Sequence, residues 1–219
     1  MQKRILRRDV PAGDKLCDDP LLDRLYRSRH IKNANQLDRT LNAMHHPNLM
    51  SGMDVAVEHL FEAYQKQQRI VIIGDFDADG ATSTALAVLA LRQLGFANVT
   101  YLVPNRFEQG YGLSVAVAQE ALALGVELLM TVDNGVSSHE GVAFLKAQGV
   151  KVIVTDHHLP PETLPNADAI VNPNLAHCGF PSKHLAGVGV TFYLMLALRA
   201  KFRELGLFDA KISRISRNC

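Results

Sequence analysis

From Arg69 onward the chain is punctuated by short apolar runs: Ile70-Val-Ile-Ile, Val99-Thr-Tyr-Leu-Val, Leu128-Leu-Met-Thr-Val, Val152-Ile-Val-Thr and Ala169-Ile-Val. They are continuous rather than alternating and partly β-branched, as strands buried on both faces are. Between the first four lie helical stretches at Thr82–Leu94, Ser114–Leu124 and Ser138–Ala147, each followed by a glycine stop at Gly95, Gly125 or Gly149. This alternation predicts an α/β fold, an open and mostly parallel β-sheet with helices on both faces. A last helix is predicted over Val190–Leu205, with an apolar face at Phe192, Leu194, Met195, Leu198 and Phe202.

The texture before Arg69 differs. Residues 20–66 read as helical, with Leu21, Leu22, Leu25 and Tyr26 at a helical period and a new start at Asn35-Gln-Leu. Asp54–Tyr64 repeats apolar positions at Val55, Val57, Leu60, Phe61 and Tyr64. The predicted organisation is a helical N-terminal segment over 1–68, the α/β domain over 69–208 and an irregular tail over 209–219.

Composition narrows the class. With 219 residues, 47% hydrophobic and 21% charged, the chain has the means to bury a core. No apolar run approaches the roughly 20 residues of a membrane span, and the basic start lacks the apolar core of a signal peptide. Cys17, Cys178 and Cys219 are isolated and odd in number, which fits a reducing, cytoplasmic compartment and provides no disulfide framework. Charge is unevenly spread: residues 70–198 hold 5 Lys/Arg against 11 Asp/Glu, whereas both flanks are basic. A negative centre repels a polyanion held directly, but it suits divalent cations that then face phosphate.

Three of the predicted strands end in candidate chemistry. The first runs into Asp75-Phe-Asp77-Ala-Asp79-Gly80, the third into Asp133-Asn134-Gly135 and the fourth into Asp156-His157-His158. In an open parallel sheet, ligands bind beyond the carboxyl ends of the strands, so these clusters are expected to converge there. Gly80 and Gly135 are read as tight turns into the following helices, with Thr82 and Ser83 as caps or phosphate contacts. A single Asp after a strand is usually a helix cap. Three such clusters at equivalent topological positions are hard to explain that way.

Spacing excludes several other sites. Asp75-x-Asp77-x-Asp79-Gly80 imitates a calcium loop, but its twelfth position is Leu86. His139-Glu140 begins like a zinc-protease helix, but Ala143 stands where the second His belongs. Gly187-x-Gly189-x-x-Phe192 lacks the third glycine of a dinucleotide fingerprint, so Gly187 and Gly189 read as a close helix entry near a phosphate. Carboxylates with one or two imidazoles suit Mg²⁺ or Mn²⁺ better than a thiolate-loving metal.

Asp75-Phe-Asp-Ala-Asp-Gly, Val132-Asp-Asn-Gly and Asp156-His-His resemble the first three motifs of the DHH phosphoesterase superfamily. Pro104-Asn-Arg-Phe-Glu-Gln-Gly-Tyr-Gly-Leu, Asn172-Pro-Asn and Leu185-Ala-Gly-Val-Gly-Val are similar to its branch of single-stranded-DNA exonucleases, as is Leu49-Met-Ser-Gly-Met-Asp-Val-Ala-Val. The resemblance implies Asp77, Asp79, Asp133 and His157 as metal ligands. It implies Asp75 and Asp156 as supporting carboxylates, His158 as the contact to the scissile phosphate, and Arg106 as a backbone or terminal-phosphate contact. It further implies two Mg²⁺ or Mn²⁺ ions and stepwise 5′→3′ hydrolysis of single-stranded DNA in recombination and repair, with single-stranded-DNA-binding protein and repair helicases as protein partners. The family's fourth motif, with another metal-binding Asp, has no counterpart here, and the texture changes in Lys211–Cys219; both point to a truncated or frameshifted product. The alternatives are a catalytically impaired remnant or binding module, or a phosphodiesterase for short oligonucleotides or cyclic dinucleotides.

Overall fold

The computed structural model describes residues 6, 8–38, 40–105 and 109–208. Arg106 and the tail over 209–219 lie outside them. The chain forms two compact units, Met1–His45 and His46–Cys219.

In the first unit, helix α1 (Pro20–Arg27) starts at Asp19, whose side chain accepts the N–H groups of Leu21 and Leu22, with Pro20 at the first helical position. Its apolar period does not mark a buried face: Leu21, Leu22 and Leu25 are exposed, and the buried residue is Asp23. Asp23 accepts the Leu16 N–H at 2.8 Å and pairs with Arg27 at 3.0 Å, so polar contacts hold this helix. The helical expectation over 20–66 is too broad. The described residues of 28–52 form 3₁₀ turns rather than an α-helix, at Ala34–Leu37 and Leu41–Ala43 in this unit and at Pro47–Leu49 in the second. Asn33 and Gln36 form a reciprocal capping box around the first of these.

The second unit begins with α2 (Met53–Gln65) and then alternates: β1 (Ile70–Ile73), α3 (Ala78–Gln93), β2 (Val99–Leu102), α4 (Val115–Ala123), β3 (Leu128–Val132), α5 (His139–Ala147), β4 (Lys151–Thr155), β5 (Ala169–Val171) and α6 (Gly187–Glu204). The five strands among the described residues are all parallel, in the order β2-β1-β3-β4-β5. Central β1 and β3 are buried at every position, which is why they read as unbroken apolar runs. Val71, Ile73, Leu129, Val152 and Val154 point to the face covered by α4 and α5. The alternate residues serve the opposite face, where α2 and α3 each pack on α6. Helix α3 begins four residues before the expected Thr82, because Asp77 caps it.

An aromatic cluster locks α2 to α6. Phe202 is fully buried, with its ring centroid 4.7 Å from Tyr64, 5.8 Å from Phe61 and 6.1 Å from Phe96. Helix α6 also carries one wall of the strand-end cluster described below, so this packing holds the far end of the same helix. Phe202→Ala is expected to cost about 3–5 kcal/mol in urea unfolding, whereas Leu159→Ala, at an exposed position, should stay within about 0.5 kcal/mol. Equal effects would show that this cluster does not support the sheet.

Candidate metal centre

The carboxyl ends of β1, β3 and β4 lie side by side, and the three expected clusters follow them directly. After β1 the chain turns straight into α3. Asp77 Oδ1 accepts the Gly80 N–H at 2.9 Å as the helix cap, and Phe76 N–H donates to Asp75 Oδ1 at 2.7 Å. Gly80 is therefore not the turn that was expected. It lies within the first turn of α3, where a Cβ would fall 2.4 Å from the Asp75 carbonyl oxygen, so its lack of a side chain lets helix and loop close up. Gly135 is a turn residue, with φ of 109°.

Asp79 is held from the other side. Its Oδ2 accepts the Gly187 N–H at 2.8 Å and its Oδ1 the Val188 N–H at 2.7 Å, so one carboxylate caps the N-terminus of α6. The helix dipole and the free N–H groups there favour such an anion. The expectation that Gly187 and Gly189 meet a phosphate is corrected accordingly: the Gly187 N–H is taken by Asp79, and the Gly189 N–H donates to Ala186. Gly187 serves by its size, since a Cβ there would lie 2.3 Å from Asp133 Oδ1. Of the two hydroxyls, Thr82 is exposed and bonded to the Ala78 and Asp79 carbonyls. Ser83 is wholly buried, which removes it as a phosphate contact.

Asp133 stands at the centre. It is 1% exposed and adopts φ of 63°, a left-handed conformation that an Asp tolerates better than most residues. His157 Nε2 lies 3.1 Å from its Oδ1 and 3.7 Å from Asp79 Oδ2. No donor meets that buried Oδ1 in hydrogen-bonding geometry among the described residues. Burial, with Asp79 and then Asp77 nearby, pushes the Asp133 carboxyl up to about 7. Burial and the neighbouring Asp77 also raise Asp75. Two groups of potential ligand atoms share Asp133, one with His157 and His158 and the other with Asp75 and Asp77. An ionised, buried oxygen without a donor is costly, and a divalent cation would satisfy it. The oxygen-and-imidazole set suits Mg²⁺ or Mn²⁺.

Asp156 plays a different part. Its Oδ2 accepts the Val136 N–H at 2.9 Å; its Oδ1 accepts the backbone N–H groups of His157 and His158 and meets His158 Nδ1 at 2.7 Å. Burial alone would raise this carboxyl, but His158 and the backbone donors hold it low. With both oxygens occupied, Asp156 anchors the loop, and it lifts the His158 pKa. His158 opens onto a cavity of about 370 Å³ lined by Tyr111, Ser114, Ser137, Ser138 and His139 among others.

Several supporting residues lie inside the motifs without a role that the sequence makes evident. Asn134 Nδ2 donates to the Ile73 and Val132 carbonyls, tying the ends of β1 and β3 together. Asn172 Nδ2 donates to the His158 carbonyl and Asn174 Nδ2 to that of His157. The available signal is their place beside the carboxylate clusters; once buried, an Asn there needs partners for its amide.

Residues 69–215 match the DHH family, N-terminal domain. The single-stranded-DNA-specific exonuclease RecJ of Haemophilus influenzae is 71% identical over 211 residues, covering 96% of this chain and 37% of that protein. The RecJ of Escherichia coli is 58% identical over 212 residues, with the same coverage. The chain thus spans little more than a third of the length of these curated relatives. A crystal structure of RecJ in complex with Mn²⁺ from Thermus thermophilus is similar with a TM-score of 0.65 and 34% identity, over 81% of this chain and 24% of that one. Another, of exonuclease RecJ bound to manganese, has a TM-score of 0.64 and 38% identity, over 70% of this chain and 38% of that one.

The raised Asp133 pKa has a definite sign. Between its ordinary value of 3.8 and about 7 the folded state binds this proton more tightly than the unfolded chain, so the metal-free protein loses stability from this group as pH rises through that window. A bound cation replaces the proton. The gain in melting temperature on adding Mn²⁺ should therefore grow from about pH 5.5 to about pH 8 and be lost in Asp133→Asn. Thermal unfolding with and without chelator checks this; a gain that ignores pH, or survives the substitution, would contradict it.

Proposed function

The chain belongs to the DHH family, and on that premise we propose that it is a metal-dependent phosphodiesterase that removes nucleotides stepwise, 5′→3′, from single-stranded DNA. The observation that carries this reading is the convergence of Asp77, Asp79, Asp133 and His157 at the ends of adjacent parallel strands, around a buried carboxylate oxygen that no described donor meets in hydrogen-bonding geometry. The substrate follows from the relatives, which are single-stranded-DNA-specific exonucleases.

On this reading Asp77, Asp79, Asp133 and His157 hold two divalent cations, Mg²⁺ or Mn²⁺, with Asp75 beside them. Bound there, the cations supply Lewis acidity for activating water and neutralising charge on the departing oxygen. Asp79 is fixed by its two bonds to α6, so one wall of the site is set before any ligand arrives. Asp156 fixes the two histidines through the backbone and through His158 Nδ1. His158, with its pKa raised and its ring partly open to the cavity, presents Nε2 to a phosphate oxygen. Thr82 and Arg106 are further candidate contacts to the strand. A role in recombination and repair, with single-stranded-DNA-binding protein and repair helicases as partners, belongs to the same reading. So does a cytoplasmic location, which suits the free thiols of Cys17 and Cys178; no described helix is long and apolar enough to cross a membrane.

The test uses 5′-labelled single-stranded DNA and Mn²⁺. Labelled mononucleotide should appear first, duplex DNA should resist, and Asp77→Ala should reduce the rate by at least about a hundredfold. Cleavage that persists in chelator, or that is equal in Asp77→Ala, would sink the proposal. A preference for cyclic dinucleotides or very short oligonucleotides over long strands would replace the substrate.

A further inference from the structure

Tyr111 belongs to none of the three strand-end clusters, yet its hydroxyl lies where they meet. It is 3.4 Å from the Asp133 carbonyl oxygen and 3.4 Å from His158 Nε2. The ring stands edge-on to His158, with centroids 6.0 Å apart at 83°. It is 53% exposed, so its burial contributes little to stability, and a purely structural role does not explain why the hydroxyl is turned inward.

His158 makes the geometry meaningful. The Asp156 carboxylate can only accept, so Nδ1 carries a proton, and in the imidazolium that this carboxylate favours both ring nitrogens donate. Nε2–H then faces the Tyr111 hydroxyl oxygen, whose own proton is donated to the Asp133 carbonyl. A ring held at Nδ1 alone pivots about that bond, whereas a second contact at Nε2 removes the freedom. We infer that Tyr111 is a positioning residue, whose hydroxyl and ring edge form the second point of attachment that fixes the His158 imidazole toward the carboxylate cluster. The consequence for turnover rests on the phosphodiesterase reading above; the consequence for ring orientation does not.

Two variants of the whole chain separate the parts: Tyr111→Phe removes the hydroxyl, and Tyr111→Ala removes the ring as well. Nitrogen-15 NMR of the metal-free protein should show His158 protonated at Nδ1 with one set of ring signals. In Tyr111→Phe those signals should shift and broaden toward exchange between orientations, and more so in Tyr111→Ala, while the Asp156-linked backbone N–H signals stay in place. With single-stranded DNA and Mn²⁺, Tyr111→Phe should lower kcat about tenfold at unchanged KM, and add no further loss in a His158→Ala background. If the wild type does not cleave DNA, the functional reading fails, and the ring signals still decide the positioning role. Unchanged His158 ring signals in both variants would overturn the inference, as would a Tyr111→Phe defect that persists in full without His158.

Discussion

Carboxylates at close range repel, and this fold gathers Asp75, Asp77, Asp79 and Asp133 at the ends of two adjacent strands. Most of what surrounds them offsets that repulsion. Asp77 is turned into a helix cap, Asp79 is held by two backbone N–H groups of α6, and Asp75 takes the N–H of Phe76. Among the described residues Asp133 Oδ1 meets no donor in hydrogen-bonding geometry, with the His157 imidazole 3.1 Å away. A site in which burial and neighbouring carboxylates raise both Asp75 and Asp133 is short of positive charge, and that suits a cation.

The arrangement ties distant parts of the chain to one small volume. The bond from Asp79 to Gly187 spans 108 residues and joins the first motif of the sheet to its last helix. Gly187 allows that helix to approach Asp133, and the aromatic cluster around Phe202 holds its far end. Packing energy at one end of α6 is thereby linked to electrostatic geometry at the other. The histidines are set by a parallel scheme, in which Asp156 grips their backbone from one side while Asn172 and Asn174 grip it from the other.

Much of this is legible in the order of the amino acids. The strands stand out because burial on both faces demands unbroken apolar runs, and their succession along the chain places the three clusters at one edge by topology alone. What escapes the sequence is tertiary. Asp77 as a cap moves the start of α3 forward, and Gly80 is a point of close approach, since neither role is visible without knowing how helix and loop pack. Gly187 offers its N–H to a carboxylate rather than a phosphate for the same reason. The leucines of α1 mimic a buried face, while a buried aspartate and its arginine do the holding. In each case a local pattern has two physical readings, and long-range contact chooses between them.

The central claim is that the buried Asp133 oxygen is a cation seat. Anomalous diffraction from manganese in a crystal of this chain tests it most directly. The account predicts a manganese peak within bonding distance of Asp133 Oδ1 and His157 Nε2. Manganese bound elsewhere, with none at Asp133, would contradict it.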